Sequence, residues 1–231
     1  MTLTAIGFDA DDTLWHNERF FQHTQAHFAG LLRDHVDAAD LETRLHAAEV
    51  RNLGLYGFGV KGFTLSMIET AIEVSDGRIS ARVIAEILEA GREMLRHPVE
   101  ILPHARETIE ALAGDFRIIL VTKGDLLDQE RKLAASGLGD LFDAVEIVSD
   151  KTPEVYHSVF RRHASGADQA MMVGNSLKSD VLPMISAGGW GVHVPHDLTW
   201  GLEHADPPQD CPHFAELPHL GALAGLIGGL R

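Results

Sequence analysis

Five short apolar runs, each bounded by turn residues, recur along the chain, at 5–8, 117–121, 144–148, 170–173 and 191–194. Runs of this length are typical of strands that are buried on both faces of a sheet. Helix-sized segments at 125–136, 153–163 and 177–187 separate the last four runs, and Gly137 and Gly188 stand where helices commonly end. The alternation of strand and helix predicts an α/β fold with a parallel sheet.

The interval between the first and second runs is about a hundred residues long, far more than one crossover connection needs. Within 18–96 apolar residues recur at three-to-four spacing, as at Phe28, Leu31 and Leu32, which is the pattern of amphipathic helices. We therefore predict an inserted all-helical domain at 17–97. The remaining segments, 1–16 and 98–231, would form the sheet-containing core.

Composition and charge narrow the class of protein. The chain has 231 residues, of which 45% are hydrophobic, and its 19 basic against 34 acidic residues give a formal net charge of −15. Such a charge opposes binding to nucleic acid and to anionic membranes. The single cysteine, Cys211, cannot form an internal disulfide, and Met1 is not followed by a signal-peptide pattern. We expect a cytoplasmic monomer or homodimer whose partner is a small molecule.

Polar residues stand where the predicted strands end. Asp9 and Asp11 follow the first strand, Thr122 ends the second, Lys151 follows the third and Asn175 follows the fourth. In an open parallel sheet the carboxyl ends of the strands meet at one edge, where ligands bind. The sequence therefore predicts a polar site at this edge.

These residues, in this order, resemble the four motifs of the haloacid dehalogenase-like (HAD) superfamily. The first is the D-x-D-x-T of 9–13, the second is the apolar run ending in Thr122, and the third is Lys151. The fourth resembles G-D-x-x-x-x-D at 174–180, with Asn175 in place of the first acid. The resemblance covers essentially the whole chain. It implies a Rossmannoid core with strand order 5-4-1-2-3 and a helical cap domain between the first two motifs.

The resemblance also implies a function, namely a Mg²⁺-dependent phosphohydrolase for a small phosphorylated metabolite. Asp9 would be the nucleophile that forms an aspartyl-phosphate, and Asp11 would act as general acid and then as general base. Thr122 and Lys151 would bind the transferring phosphoryl group and balance its charge. We expect the neighbouring Asp12 to point away from the site.

The implied ligands fall into two groups. Oxygen ligands suit Mg²⁺, and here they would be Asp9, the main-chain oxygen of Asp11, Asn175 and Asp180. The substrate contacts would be Thr122, Lys123, Lys151 and, from the inserted segment, Lys61.

Other activities fit the same fold. A 2-haloacid dehalogenase and a phosphonatase both resemble it, but the families of both lack the second aspartate of the first motif, which is Asp11 here. A phosphomutase shares both aspartates. A non-catalytic sensor of a phosphorylated ligand would explain the amide at Asn175 by loss of the metal site.

Three further patterns admit two interpretations each. The glycine- and aromatic-rich stretch 55–63 predicts either a loop that closes on the site or a turn between helices. His23 and His27, at i and i+4, have a spacing that can hold zinc, but a hydrated helix face explains them as well. His16 follows the first motif at the predicted hinge, where a half-exposed hinge residue is the simpler interpretation.

Overall fold

The computed structural model describes residues 3–230 and contains a six-stranded parallel sheet with the order β3-β2-β1-β4-β5-β6. The strands are β1 (Ala5–Phe8), β2 (Arg117–Lys123), β3 (Ala144–Val148), β4 (Ala170–Gly174), β5 (Trp190–His193) and β6 (Phe214–Glu216). The α-helices are α1 (Glu18–Leu32), α2 (Ala38–Tyr56), α3 (Val60–Val74), α4 (Ala81–Arg96), α5 (Ala105–Leu112), α6 (Leu126–Ser136), α7 (Pro153–His163), α8 (Leu182–Ser186) and α9 (Leu223–Leu230).

The predicted parallel α/β fold is confirmed, with one correction to the sheet. Read from the other edge, the first five strands have the predicted order 5-4-1-2-3, but a sixth strand, Phe214–Glu216, pairs with β5. This strand has three residues, and none of them is fully buried. A strand so short and so exposed lacks the buried apolar run by which the other five were recognised.

The chain divides into two compact units. The core unit comprises 1–18, 99–123 and 129–231, and the helical unit comprises 19–98 together with 124–128. The predicted core includes 124–128, whereas the structure groups this segment with the helices. Residues 1, 2 and 231, which the predicted core domain includes, lie outside the described residues.

In the core unit the sheet lies between two apolar layers. Side chains such as Ile6 and Ile118 pack on one face with Ile109 of α5, while Ile119 packs on the other with Phe160 of α7. Because adjacent strand residues point to opposite faces, both faces of β1 and β2 are buried, as their continuous apolar runs predicted.

The helical unit has its own apolar core, which includes Phe28 of α1, Leu45 of α2, Phe63 and Met67 of α3, and Ile87 of α4. None of the helices described between residues 3 and 230 is long and apolar enough to cross a membrane.

The stretch 55–63 is a turn between helices. Helix α2 ends at Tyr56 and α3 begins at Val60, so only 57–59 connect them. Gly57 and Gly59 both have positive φ values, 74° and 117°, which residues other than glycine rarely adopt. The glycines thus serve a sharp reversal, as the interpretation as a turn between helices predicts, and closure of this stretch on the site stays a prediction.

The predicted helix at 177–187 has an irregular first half. Leu177–Val181 form a π-helical turn, and regular α-helix begins only at Leu182. Pro183 has no N–H to donate to the main-chain oxygen of Ser179, the acceptor four residues earlier. That oxygen accepts instead from the Tyr156 hydroxyl of α7, at 2.9 Å.

Glu49 of α2 is a buried acid in the helical unit. Its side chain lies on the face of α2 that contains Leu45 and Ala48, and it is 8% exposed. Burial disfavours the ionised form, which raises the pKa of Glu49 from 4.5 to about 7. The folded chain binds the carboxyl proton of Glu49 more tightly than the unfolded chain does. The contribution of this protonated group to the free energy of unfolding is therefore complete below pH 4.5 and decreases as the pH rises towards 7.

We expect Glu49→Gln to stabilise the protein more at pH 8 than at pH 5, because glutamine fills the same space without an ionising group. The difference between the two pH values should be roughly 2–3 kcal/mol, from a pKa difference of about 2.5 units. Urea unfolding followed by far-ultraviolet circular dichroism measures it. The control Glu42→Gln changes an exposed acid of the same helix. An equal effect of Glu49→Gln at both pH values would show that Glu49 is already ionised in the folded protein.

Candidate active site

Asp9 lies immediately beyond β1, all four residues of which are buried. Its N–H donates to the main-chain oxygen of Val173 at 2.9 Å, so the pairing with β4 continues one residue past the strand. The side chain of Asp9 is buried at the carboxyl edge of the sheet, and the residue is 7% exposed. The fixed backbone therefore holds a carboxylate in a nearly dry position.

Lys151 lies between two buried carboxylates. Its Nζ donates to Asp9 Oδ1 and, at 2.6 Å, to Asp180 Oδ1. The other oxygen of Asp180, Oδ2, accepts from the N–H of Ser176 at 3.0 Å. Two acids and one ammonium leave this cluster with an excess negative charge, which is costly to bury.

The burial and the charges shift the pKa values of this cluster. Burial lowers the pKa of Lys151, but the attraction of Asp180 and Asp9 outweighs it and raises this pKa above the ordinary value. Burial also raises the pKa of Asp9 to about 7, and the charge of Asp180 adds to this effect while Lys151 opposes it. Lys151 alone is therefore too little positive charge to keep Asp9 fully ionised at neutral pH.

A second set of oxygens, which we call the oxygen group, surrounds the side-chain amide of Asn175. Its other members are Asp9 Oδ2, the main-chain oxygen of Asp11 and Thr13 Oγ1. With its nitrogen turned inward, the amide donates to Asp11 at 3.2 Å and to Asp9 and Thr13 at 3.3 Å. With its oxygen inward, Asn175 Oδ1 accepts from the Thr13 hydroxyl at 3.3 Å. The oxygens of Asp9, Asp11 and Asn175 then face one another, and a cation between them offsets their repulsion.

The oxygen group therefore fits a hard divalent cation. Mg²⁺ prefers oxygen ligands and keeps several waters, so three protein oxygens on one side suit it. Asp180 makes no described contact with this group, and its Oδ1 accepts from Lys151 while its Oδ2 accepts from Ser176. A role for Asp180 as a metal ligand remains a prediction.

Three local features fix the position of Asp180. The π-helical turn places it above the end of β4, and the Tyr156 hydroxyl supports the turn at Ser179. Gly174 leaves room for it, because a Cβ at that position would lie 2.1 Å from Asp180 Oδ2. The glycine of the fourth motif is thus required by the close approach of a buried acid.

The side chain of Asp11 is directed to a different set of partners. Trp15 Nε1 and Gln129 Nε2 each donate to it at 2.7 Å, and Lys132 Nζ donates at 2.9 Å. Lys132 also donates to Asn17 Oδ1 at 2.7 Å. Three donors thus hold this carboxylate in one orientation.

Gln129 and Lys132 were not predicted as site residues. Both lie on α6, three residues apart and therefore on one helix face, directly after the strand that ends near Thr122. That spacing is a weak signal, since polar residues three apart also occur on exposed faces. Only the fold shows that this face of α6 meets the first motif.

The remaining predicted site residues are Thr122, Lys123 and Lys61. Thr122 is buried at the end of β2. Lys123 Nζ donates to Ser179 Oγ at 2.7 Å and pairs with Glu203 at 2.5 Å. Lys61 belongs to the helical unit, where its Nζ lies 3.4 Å from Asp125. Their predicted contacts with a substrate stay predictions.

Residues 3–188 match the family model of the haloacid dehalogenase-like hydrolases. The chain belongs to this family. It is accordingly a HAD hydrolase, with the α/β core that the sequence predicted. A search of curated proteins gave no match.

Solved structures of HAD proteins have the same fold. A HAD-like hydrolase from Xanthomonas campestris is 41% identical, with a TM-score of 0.89 over 99% of this chain and 92% of that one. The HAD hydrolase YfnB from Bacillus subtilis, bound to magnesium, is 18% identical, with a TM-score of 0.67 over 98% of this chain and 99% of that one. A 2-haloacid dehalogenase from Pseudomonas syringae is 19% identical, with a TM-score of 0.64 over all of both chains.

Proposed function

We propose that this HAD hydrolase is a Mg²⁺-dependent phosphatase that acts on a small phosphorylated metabolite through a phosphorylated Asp9. One observation supports the proposal above the others. The buried carboxylate of Asp9 has Lys151 on one of its oxygens and, on the other, an oxygen group suited to a divalent cation. With a cation bound, this combination would provide positive charge on both sides of an anionic nucleophile, as attack on an anionic phosphate requires.

In the first step Asp9 attacks phosphorus, and the bond between phosphorus and the leaving oxygen breaks. A bound metal ion would supply positive charge that reduces the repulsion between nucleophile and phosphate. Lys151 contributes its charge from the opposite side of Asp9. The leaving oxygen takes a proton from Asp11.

In the second step Asp11 removes a proton from water, and the water oxygen attacks the phosphorus of the acyl phosphate. Phosphate departs and Asp9 is restored as a carboxylate. One residue thus serves as acid and then as base, which requires that its carboxyl group keeps a fixed direction. We infer that Trp15, Gln129 and Lys132 are positioning residues for Asp11.

The similar solved structures do not decide between a phosphatase and a dehalogenase, because a structure that is less than 25% identical to this chain shows only a shared fold. The residues favour the phosphatase. A dehalogenase needs no general acid for a departing halide, and the resemblance implies that dehalogenases of this family lack the aspartate found here as Asp11. The oxygen group likewise suits a metal-dependent reaction, and the magnesium bound to YfnB is consistent with such use of this fold. A phosphomutase shares the same residues and would differ in excluding water.

We expect hydrolysis of p-nitrophenyl phosphate with Mg²⁺, at least about 100-fold loss of activity on chelation by EDTA, and recovery on adding Mg²⁺. In parallel assays, 2-chloropropionate should release no chloride. Undiminished phosphate release after exhaustive chelation would contradict the metal requirement, and chloride release would favour the dehalogenase.

Two substitutions at Asn175 sharpen the same assay. Asn175→Asp adds a negative charge to the oxygen group, and a net gain of about 1.4 kcal/mol would lower the Mg²⁺ concentration for half-maximal activity about tenfold. Asn175→Ala removes the oxygen and should raise that concentration. If both variants needed as much Mg²⁺ as the parent, position 175 would not be a metal ligand.

We expect Lys132→Met to impair hydrolysis of an alkyl phosphate about tenfold more than hydrolysis of p-nitrophenyl phosphate. A poorly oriented Asp11 matters most when the leaving group needs a proton, and p-nitrophenolate hardly needs one. Asp11→Asn should show the same selectivity more strongly, and Glu130→Gln, an exposed change on α6, should show none. Equal losses on both substrates would mean that Lys132 supports the fold and has no effect on proton transfer.

A further inference from the structure

Three side chains of the core unit form a group separate from the oxygen group. They are Asp12, His16 and His196, and one potential ligand atom from each lies within 4.8 Å of the other two. Asp12 and His16 belong to the stretch after Asp11, and His196 belongs to the loop that follows β5. The two groups share no side chain.

The distances within this group are close to those of ligands on one metal ion. His196 Nε2 lies 3.7 Å from Asp12 Oδ1, and two ligand atoms on tetrahedral Zn²⁺ lie about 3.3 Å apart. The ring centroids of His16 and His196 are 5.6 Å apart, with an interplanar angle of 66°. Two imidazoles on one such ion would have their centroids about 5.2 Å apart. Small side-chain rotations would therefore bring all three atoms within bonding distance.

The hydrogen bonds of His196 leave Nε2 as its ligand atom. Its Nδ1 lies 2.9 Å from the main-chain oxygen of Leu198 and 3.2 Å from the main-chain nitrogen of Leu198. The shorter contact favours a proton on Nδ1 that is donated to the carbonyl. Histidines that bind metals commonly donate their other N–H to a carbonyl or carboxylate in this way. The 3.7 Å between Nε2 and Asp12 Oδ1 is too long for a hydrogen bond.

Asp12 is also held in place. Its Oδ1 accepts from the N–H of Asn17 at 2.8 Å and, at 3.1 Å, from the N–H of Glu18, which lies closer to Oδ2 at 2.9 Å. These bonds direct the carboxylate at the start of α1, as expected for a helix-capping acid. Oδ1 lies 3.7 Å from His196 Nε2, and a metal ion on Oδ1 would replace only its longer contact with Glu18, whose N–H keeps its bond to Oδ2. Two of the three ligands thus have their orientation fixed by neighbouring groups.

We propose that Asp12, His16 and His196 form a second metal site, which takes a borderline-soft ion such as Zn²⁺. Two imidazoles and one carboxylate suit Zn²⁺ and the neighbouring transition ions, whereas an all-oxygen set suits Mg²⁺. Three protein ligands leave a fourth position open to water or to another molecule. An ion at this site would link the stretch after the first motif to the loop after β5.

Equilibrium dialysis against Zn²⁺ in excess Mg²⁺ tests the site without relying on enzymatic activity. We expect one Zn²⁺ per chain, and at least about tenfold weaker binding in both His16→Gln and His196→Gln. The matched control is His23→Gln combined with His27→Gln, which removes the other histidine pair considered from the sequence. This control should bind Zn²⁺ as the parent does.

Two further measurements exclude a trivial loss of fold. Zn²⁺ should raise the Tm of the parent and of the control, and should leave the Tm of His196→Gln unchanged. Co²⁺ in place of Zn²⁺ should give the parent the visible absorption of a tetrahedral nitrogen-ligated ion, even if a variant does not fold. Absence of this absorption and of Zn²⁺ binding in the parent would overturn the proposal. So would Zn²⁺ binding that survives in the two single variants or disappears in the control.

Discussion

The ion cluster of Asp9, Lys151 and Asp180 is the constraint on which the rest of the site depends. Two carboxylates and one ammonium are buried together at the edge of the sheet, and burial of unbalanced charge costs several kcal/mol. Such a cluster is stable only where each group keeps its hydrogen bonds and where the excess negative charge interacts with a further positive charge. A cation at the oxygen group would supply that charge, and the proposed attack of Asp9 on phosphorus uses the negative charge of the carboxylate.

Much of the core unit serves to hold these charged groups in place. Strand β1 carries Asp9 on a backbone whose hydrogen bonds continue into β4. The π-helical turn after β4 carries Asp180. Pro183 has no N–H to donate to the Ser179 carbonyl of this turn, and the Tyr156 hydroxyl donates to that carbonyl instead. Glycine at position 174 leaves room for Asp180, with which a larger residue at that position would collide. The irregular turn thus accompanies the placement of an acid close to a strand, and the Tyr156 hydroxyl is the partner of the Ser179 carbonyl.

The sequence predicted the buried strands well, because a strand buried on both faces requires a continuous apolar run. It also predicted that Asp9, Lys151 and Asp180 belong to one edge, since parallel strands bring their carboxyl ends together. It did not reveal β6, whose three residues are only partly buried. Nor did it reveal the contacts of Gln129 and Lys132 with Asp11, because these depend on how α6 packs against the stretch after β1.

The 55–63 stretch shows a different limit of the sequence. Glycines and aromatic residues occur both in mobile loops and in tight turns between helices, and composition does not distinguish them. The positive φ values of Gly57 and Gly59, together with the burial of Phe63 in the helical core, show a tight turn between two helices. Asn175 is a similar case, because its amide fits either as a donor to its neighbours or as a ligand beside a cation.

Trapping the covalent product tests whether Asp9 attacks phosphorus. The protein would be mixed with substrate and Mg²⁺ for less than one turnover, quenched in acid and digested with pepsin, which acts at the acidic pH at which an acyl phosphate persists. The peptide that contains Asp9 should carry a phosphoryl group on that residue. The same peptide from Asp9→Asn should carry none. Release of phosphate with no modified peptide, or a phosphoryl group on any other residue, would contradict the account.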